Sequence, residues 1–144
     1  MDGHDTSRRL VWHGVMLFLL GLLAGAFVSR YANPRMGLSA HLGGVMAGTF
    51  LAVVGLFWER LRLAPAAAVA AFWLALYGTY VSSLGLLLAA MLGTGHSTPL
   101  AGAGYEGGLW PETAVDVALV TSAAAMLVAC VLLLWGLGKR SAAA

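Results

Sequence analysis

The sequence predicts an all-α integral membrane protein, a single domain in which four transmembrane helices form a bundle. Hydrophobic residues make up 60% of the 144 positions, charged residues only 10%, and the mean hydropathy is +0.86. A soluble domain of this size has too little interior to bury so much apolar surface. No alternation of apolar and polar residues with turn signals indicates a barrel, so a helical bundle is the expected architecture.

Four apolar segments are each long enough to span a bilayer, which takes roughly 20 residues of helix. They extend over residues 10–28, 38–58, 65–92 and 111–137. Arg8 and Arg9 form a basic flank before the first segment, but no small-residue cleavage site closes that segment before Arg30. We therefore expect it to be a retained helix rather than a cleaved signal.

The connections between these segments carry recognisable turn and helix-start signals. Asn33-Pro34 marks a turn in the first connection, and Pro65 is suited to the first position of the third helix. The stretch from Gly93 to Trp110 is the longest connection and is rich in glycine, which predicts a loop able to act as a lid. Glu112 then lies in the first turn of the last helix, where the helix dipole favours a carboxylate.

The basic residues predict the orientation of the bundle. Two of the eight Lys and Arg residues, Arg30 and Arg35, lie on one side, and the other six lie on the opposite side. The positive-inside rule therefore places both termini in the cytoplasm, and we expect a bacterial-type inner membrane. Because topology accounts for these cations, the expected surrounding is a lipid bilayer, and no nucleic-acid partner is expected. The six are Arg8, Arg9, Arg60, Arg62, Lys139 and Arg140.

His41 is the residue that points most directly to function, because an ionisable side chain inside an apolar segment is costly. On a helix, His41, Gly44 and Gly48 share one face. We therefore predict an imidazole above a trough of missing side chains, as a flat cofactor requires. Imidazole commonly binds haem iron whose sixth position stays open, which makes His41 a candidate metal ligand. The alternatives are a histidine at the membrane interface and glycines that serve only helix packing.

Four further side chains in the predicted helices can be weighed in the same way. Tyr77 and Tyr80 are three residues apart and share a helix face, so their hydroxyl groups predict either bonds between helices or a catalytic pocket. His13 is expected at the interface, about 25 Å along the bundle from His41, because some 15 to 17 helical residues separate their levels. His13 and His41 therefore cannot both bind the same haem within one subunit. Asp116 is expected to be structural.

Two segments resemble a known family of membrane enzymes. The run Asn33-Pro-Arg-Met-Gly-Leu-Ser-Ala-His41 is similar to the signature of hydroxylaminobenzene mutases, and Phe72-Trp-Leu-Ala-Leu-Tyr-Gly-Thr-Tyr80 is a second match. More distantly, the chain resembles styrene oxide isomerases, which have the same four-helix plan. The resemblance covers nearly the whole chain. Where a mutase typically has Glu and Asn, however, this sequence has Gly43 and Ala47, which puts the substrate specificity in question.

The resemblance implies a cofactor, an assembly and a reaction. The isomerases are homotrimers that hold haem b between subunits, with the histidine matching His41 as axial ligand and the tyrosine matching Tyr80 in the substrate pocket. The iron acts as a Lewis acid with no net redox change. A mutase of this kind converts a small aromatic substrate, an aryl hydroxylamine, to a 2-aminophenol, a step of aromatic compound degradation.

The residues around these positions suggest further roles. Phe72, Trp73 and Tyr77 are expected to supply aromatic walls for the substrate. Arg35 and Arg30 are the cations nearest to His41 in the sequence, and we expect them to pair with haem propionates.

Two alternatives to a mutase remain open. One is an epoxide isomerase that makes aryl acetaldehydes, and the other is a small membrane subunit that binds haem without catalysis. The two enzymes predict turnover without added reductant, whereas the subunit predicts a partner protein and no turnover.

Overall fold

The computed structural model describes residues 3–138 and confirms the predicted fold class. Four of its helices are long and apolar enough to cross a membrane, and the described residues contain no strand. A fifth, short helix lies in the longest loop. Single 3-10 turns follow α1 and α2. The helices are α1 (Gly3–Ala26), α2 (Pro34–Phe57), α3 (Pro65–Leu92), α4 (Pro99–Gly102) and α5 (Leu109–Gly138).

Three helices begin earlier than the sequence predicted, α5 by only two residues and α1 and α2 by a full turn or more. α1 begins at Gly3 rather than at residue 10, because the polar residues before the apolar segment continue the same helix. α2 begins at Pro34 rather than at residue 38, because the side chain of Asn33 accepts a hydrogen bond from the backbone nitrogen of Met36 at 3.1 Å and caps the helix. Pro34 occupies the first turn, where its missing N–H costs nothing.

Helices α1 and α2 pack with their backbones in direct contact. A Cβ added to Gly14 would lie 2.5 Å from the backbone nitrogen of Ala52, and one added to Gly21 would lie 2.6 Å from that of Val45. Gly44 lies opposite Gly21, and Gly48 opposite Gly14. Small residues at these positions on both helices allow an approach that larger side chains would prevent.

Helices α3 and α5 form the second tightly packed pair, and two apolar clusters join the pairs. Near the N-terminal end of α3, Phe72 is fully buried and its ring meets that of Trp58 edge to face, 6.4 Å apart. At the opposite end of the bundle, Met36 packs with Ala89, Ala90 and Val115. Tyr80, one of the candidate site residues, packs against the first of these clusters.

Asn33 ties the first connection to the long loop at one end of the bundle. Its backbone nitrogen donates to the carbonyl of Ala90 at 3.0 Å, and its side-chain nitrogen donates to that of Gly102 at 2.9 Å. The side chain is fully buried, so these bonds satisfy groups that water cannot reach. The loop and the start of α2 therefore lie at the same membrane surface.

Replacing Gly14 with alanine should weaken the contact between α1 and α2, because the added Cβ would lie 2.5 Å from the backbone of Ala52. Overpacking of this kind costs about 1–3 kcal/mol, so we expect a lower midpoint of thermal unfolding in detergent. Gly138→Ala is the matched control, since none of residues 3–138 has an atom within 4 Å of a Cβ added there. Equal midpoints for the two variants would contradict the close approach of these helices.

Candidate active site

The imidazole of His41 is held in one tautomer by helix α1. Its Nδ1 lies 2.8 Å from the carbonyl oxygen of Gly21. A carbonyl oxygen only accepts hydrogen bonds, so Nδ1 carries the proton and donates it. The other ring nitrogen, Nε2, then keeps its lone pair. A carbonyl on the far nitrogen is the usual support for a metal-binding histidine, because it fixes both the tautomer and the ring orientation.

Gly25 provides the space in which the ring of His41 lies. A Cβ at this position would be 2.5 Å from Nδ1 and 2.8 Å from Cγ of the imidazole. Any larger residue at position 25 would therefore displace the ring from the Gly21 carbonyl. Only the folded helices connect Gly21 and Gly25 with the candidate metal ligand.

The predicted trough of Gly44 and Gly48 faces helix α1 within this chain. A Cβ at Gly44 would lie 2.8 Å from the Cα of Gly21, and one at Gly48 would meet the backbone of Phe18. Backbone contact with α1 accounts for both glycines, which favours the packing alternative. Their contact with a cofactor stays a prediction.

The two arginines expected near a cofactor lie at the same end of the bundle as His41. Arg35 is exposed in the first turn of α2, where its carbonyl accepts a hydrogen bond from the hydroxyl of Ser39 at 3.3 Å. Arg30 is exposed in the 3-10 turn that follows α1. Their location is compatible with binding of acidic groups at the membrane surface, and their pairing with propionates stays a prediction.

Tyr80 forms a hydrogen-bonded pair with His13, which the sequence analysis had placed at the interface. The hydroxyl of Tyr80 lies 3.1 Å from Nδ1 of His13 and 3.5 Å from its carbonyl oxygen. The two rings meet edge to face with centroids 5.7 Å apart. The prediction that His13 lies at the membrane interface stays a prediction; α1 extends through the polar residues before it, back to Gly3.

The register of α1 against α2 brings His13 closer to the level of His41 than the sequence predicted. His13 is 8 residues before Gly21, whose carbonyl bonds with His41, and 12 residues before Gly25, which contacts its ring. Those separations are about 12 and 18 Å of helix, both shorter than the expected 25 Å. Even so, the two histidines are too far apart to bind one iron within a subunit, as the sequence had indicated.

Tyr77 and Tyr80 have different partners although they are three residues apart. The hydroxyl of Tyr77 bonds with Oγ1 of Thr121 on α5 at 2.9 Å, and its side chain is exposed. Tyr80 points toward α1. The predicted aromatic wall is not found beside Tyr80 either, because Phe72 is buried against Trp58 and Trp73 is exposed. The structure therefore does not bring these predicted pocket residues together.

A largely apolar cavity of about 270 Å³ lies between α1, α2 and α3. Of the predicted site residues, Tyr80 and Gly44 line it, whereas His41 does not. The sequence analysis missed the aromatic residues Phe27 and Tyr31 on its wall. Ligand pockets for drug-sized molecules begin at roughly 300 Å³, so this cavity suits a smaller ligand.

Ser83 supplies a polar group on the wall of this cavity, one turn beyond Tyr80. Its Oγ is buried and has no hydrogen-bond partner among the residues described. A buried hydroxyl without a partner costs about 1–3 kcal/mol, which a polar ligand group in the cavity would offset after a rotation of the side chain.

The long loop is fastened to the start of α5 by two carboxylates. Glu112 accepts hydrogen bonds from the backbone nitrogens of Gly95 at 3.0 Å, His96 at 3.0 Å and Gly107 at 2.8 Å. Asp116 accepts from the hydroxyl of Ser97 and lies 2.7 Å from Nδ1 of His96. These bonds fit the structural role expected for Asp116. The same bonds fix the loop that was predicted to act as a lid. This loop lines a cavity of about 650 Å³.

The donor set around His41 fits haem better than a bare metal ion. Between residues 3 and 138 no group of three His, Cys, Asp or Glu side chains could hold a metal. A protein-bound ion such as zinc needs at least three protein ligands, whereas haem needs only one or two because the porphyrin supplies four nitrogens. The free Nε2 of His41 and the exposed side chains of Leu38 and Leu42 on the same helix provide a ligand and an apolar surface.

The fold and the site define a multi-pass membrane protein with an imidazole whose second ring nitrogen is available and a small apolar cavity lined by two tyrosines. The family model described as styrene oxide isomerase matches residues 6–138, and the chain belongs to this family. The family membership inferred from the motifs at His41 and Tyr80 is thereby confirmed.

Two curated relatives carry the name hydroxylaminobenzene mutase, both from Ectopseudomonas oleovorans. HabB is 48% identical over 139 residues, which cover 96% of this chain and 84% of the relative. HabA is 41% identical over 125 residues, which cover 86% and 93%. No solved structure matches the chain significantly. The chain is an isomerase, as the sequence predicted.

The pair of His96 and Asp116 predicts that the order of the loop depends on pH. The hydrogen bond and the charge of Asp116 raise the pKa of His96 above its ordinary value of 6.5. A histidine with a raised pKa in the folded state contributes its full stabilisation below the unfolded pKa and loses it as the pH rises through the folded pKa. We therefore expect loop amides 95–107 to exchange hydrogen faster at about pH 8.5 than at about pH 6, after correction for intrinsic rates.

Asp116→Asn should remove most of this pH dependence, because the neutral amide cannot stabilise the imidazolium to the same degree. Hydrogen–deuterium exchange with mass spectrometry measures the effect, and amides in the middle of α2 serve as the internal reference. A loop that responds to pH equally in both proteins would rule out the His96–Asp116 pair as the cause.

Proposed function

We propose that the protein is a membrane-bound, redox-neutral isomerase that rearranges aryl hydroxylamines to 2-aminophenols with haem b bound by His41. The observation that carries the substrate class is the 48% identity with hydroxylaminobenzene mutase HabB over 96% of this chain. The bond from Nδ1 of His41 to Gly21 supports the cofactor, because it leaves Nε2 available to iron. When bound, haem would supply a Lewis-acidic iron that withdraws charge from the substrate oxygen.

The residues of this chain would provide binding, orientation and proton transfer. The cavity walls from α1 and α3 would hold a single aromatic ring away from water, with Phe27 and Tyr31 beside it. Tyr80 lies on that wall and would hold or release a proton at its phenol oxygen. The hydroxyl of Ser83 would bond with a polar group of the substrate.

A homotrimer with haem between neighbouring subunits forms part of the proposal. Within one subunit, Tyr80 lines the cavity and His41 does not, which supports a site completed by a second copy. The orientation with both termini in the cytoplasm of a bacterial-type inner membrane follows from the six-to-two distribution of basic residues.

The second candidate is isomerisation of an aryl epoxide to an aldehyde, which the description of the matching family favours. Gly43 and Ala47 also favour testing it, because both differ from the pattern expected of a mutase. Parallel assays with phenylhydroxylamine and styrene oxide, without reductant, distinguish the two reactions by their products, 2-aminophenol and phenylacetaldehyde. A protein that converts only the epoxide would overturn the mutase assignment.

His41→Ala should abolish haem binding, because it removes the only protein ligand proposed for the iron. Gly25→Ala should lower the haem content, since the added Cβ would lie 2.5 Å from Nδ1 of His41 and displace the ring. The measurement is the Soret absorbance per protein after expression with ample haem. His96→Ala and Gly138→Ala are the matched controls and should keep the absorbance of the unmodified protein. A Soret band that survives in His41→Ala would exclude His41 as the ligand.

Tyr80→Phe should leave the Soret band unchanged and lower kcat by about 10²-fold, the smaller effect typical of losing a general acid or base. Tyr77→Phe is the matched comparison, since the hydroxyl of Tyr77 bonds to Thr121 instead of lining the cavity. We expect Tyr77→Phe to keep most of the activity. If both variants lose the same fraction of kcat, the chemistry does not depend specifically on Tyr80.

A further inference from the structure

His13 and Tyr80 lie between two cavities at different levels of the bundle. Tyr80 lines the apolar cavity of about 270 Å³, and His13 lines a second one of about 350 Å³. The second cavity is also lined by Arg8 and Arg9, whose side chains are exposed at the N-terminal end of α1. The 3.1 Å contact between Nδ1 of His13 and the Tyr80 hydroxyl thus links a lining residue of one cavity with a lining residue of the other.

A phenol that transfers protons in an apolar cavity needs a neighbour that can exchange them. On the cavity wall the polar side chains near Tyr80 are few, and Ser83 is a poor proton carrier because a hydroxyl of its kind does not titrate in the useful range. Nδ1 of His13 is within hydrogen-bond reach of the phenol oxygen. Imidazole is the side chain best suited to accept and return a proton near neutral pH.

We propose that His13 is a positioning residue that acts through Tyr80. It exchanges protons between the Tyr80 hydroxyl and the second cavity, which Arg8 and Arg9 line. The proposal rests on the proposed isomerase function and adds a route by which protons reach the apolar cavity. It assigns a role to a histidine that neither binds the cofactor nor lines the apolar cavity. Tyr80 remains the group that contacts the substrate.

The rearrangement needs a group that takes up one proton and returns it, although the reaction is neutral overall. The N–O bond breaks, and a bond forms between the same oxygen and the ortho carbon of the ring. The ortho carbon then loses its hydrogen as a proton, and the nitrogen gains one. No oxidant or reductant is needed, because the electron pairs redistribute within the substrate. The Tyr80 oxygen takes up the ortho proton while its own proton moves to Nδ1 of His13, and the reverse transfer protonates the nitrogen.

The contacts around His13 allow this exchange. The Tyr80 hydroxyl also lies 3.5 Å from the carbonyl oxygen of His13, so the hydroxyl has an acceptor in either tautomer of the ring. The ring of Trp12 meets the imidazole edge to face at 5.0 Å and limits its rotation. Arg9 is the nearest charged neighbour on α1, and its guanidinium lies over the ring of Phe72 at 5.5 Å. These contacts hold His13 next to Tyr80, and His13 is also one of the residues that line the second cavity.

Steady-state kinetics of the purified, haem-loaded protein with phenylhydroxylamine test the exchange. His13→Ala should lower kcat by about 10-fold or more with KM nearly unchanged, and added imidazole should restore part of the loss. His13→Asn keeps a side chain able to hydrogen-bond with Tyr80 but unable to exchange protons, so its kcat should also fall. His4→Gln is the matched control, because His4 is on the same helix and its side chain is exposed beside Glu59. It should keep the kcat of the unmodified protein.

Combination with Tyr80→Phe separates proton exchange from packing. If His13 acts through Tyr80, the double variant should be no slower than Tyr80→Phe alone, and imidazole should not rescue it. A kcat that is unchanged in His13→Ala or His13→Asn would overturn the exchange while leaving the isomerase function intact. Effects that multiply in the double variant, without imidazole rescue, would make His13 a packing residue. Absence of turnover by the unmodified protein would overturn the proposed function and the exchange together.

Discussion

The backbone contact between α1 and α2 is the constraint on which the rest of the structure depends. Glycines on both helices allow main-chain atoms to approach so closely that a single added Cβ would collide with backbone. In a membrane, where lipid is as apolar as the side chains, such close packing replaces the hydrophobic effect as the force that joins helices. The same contact brings the Gly21 carbonyl to His41, so packing and ligand orientation share one cause.

Buried and half-buried polar groups fix the end of the bundle where the long loop lies. Asn33 caps α2 and also donates to Gly102 of the loop, while Glu112 accepts three backbone N–H bonds from it. The backbone groups of a loop near a membrane must find partners, since lipid offers none. The loop is therefore held by hydrogen bonds at both of its ends, although its composition suggested a freely moving segment.

The candidate chemistry is divided between two places in the subunit. His41 lies against the glycines of α1 and keeps one ring nitrogen available, whereas Tyr80 of α3 forms a hydrogen bond with His13 of α1. The apolar cavity is lined by Tyr80 and Gly44 but not by His41. A single subunit thus presents a candidate ligand and a candidate proton-transfer group on different surfaces. Assembly of copies is the physical means by which both could meet one substrate.

The sequence by itself determined the class of fold, the family and the identity of His41 and Tyr80 as candidate residues. Four long apolar segments leave helices as the only spanning structure, and an imidazole among glycines is chemically conspicuous. Helix starts were less certain, because Gly3 to Arg9 is polar and still helical. Hydropathy reports where lipid is preferred and not where a helix ends.

Only the tertiary structure decided which side chains meet. Tyr77 and Tyr80 are neighbours on a helical wheel, yet one bonds to α5 and the other to α1, because α3 lies between those helices. Likewise, the pairing of Gly25 with His41 and of His13 with Tyr80 joins residues from separate helices. Such contacts depend on the rotation and depth of each helix in the bundle. Those quantities follow from packing against neighbours and are not encoded in the periodicity of one segment.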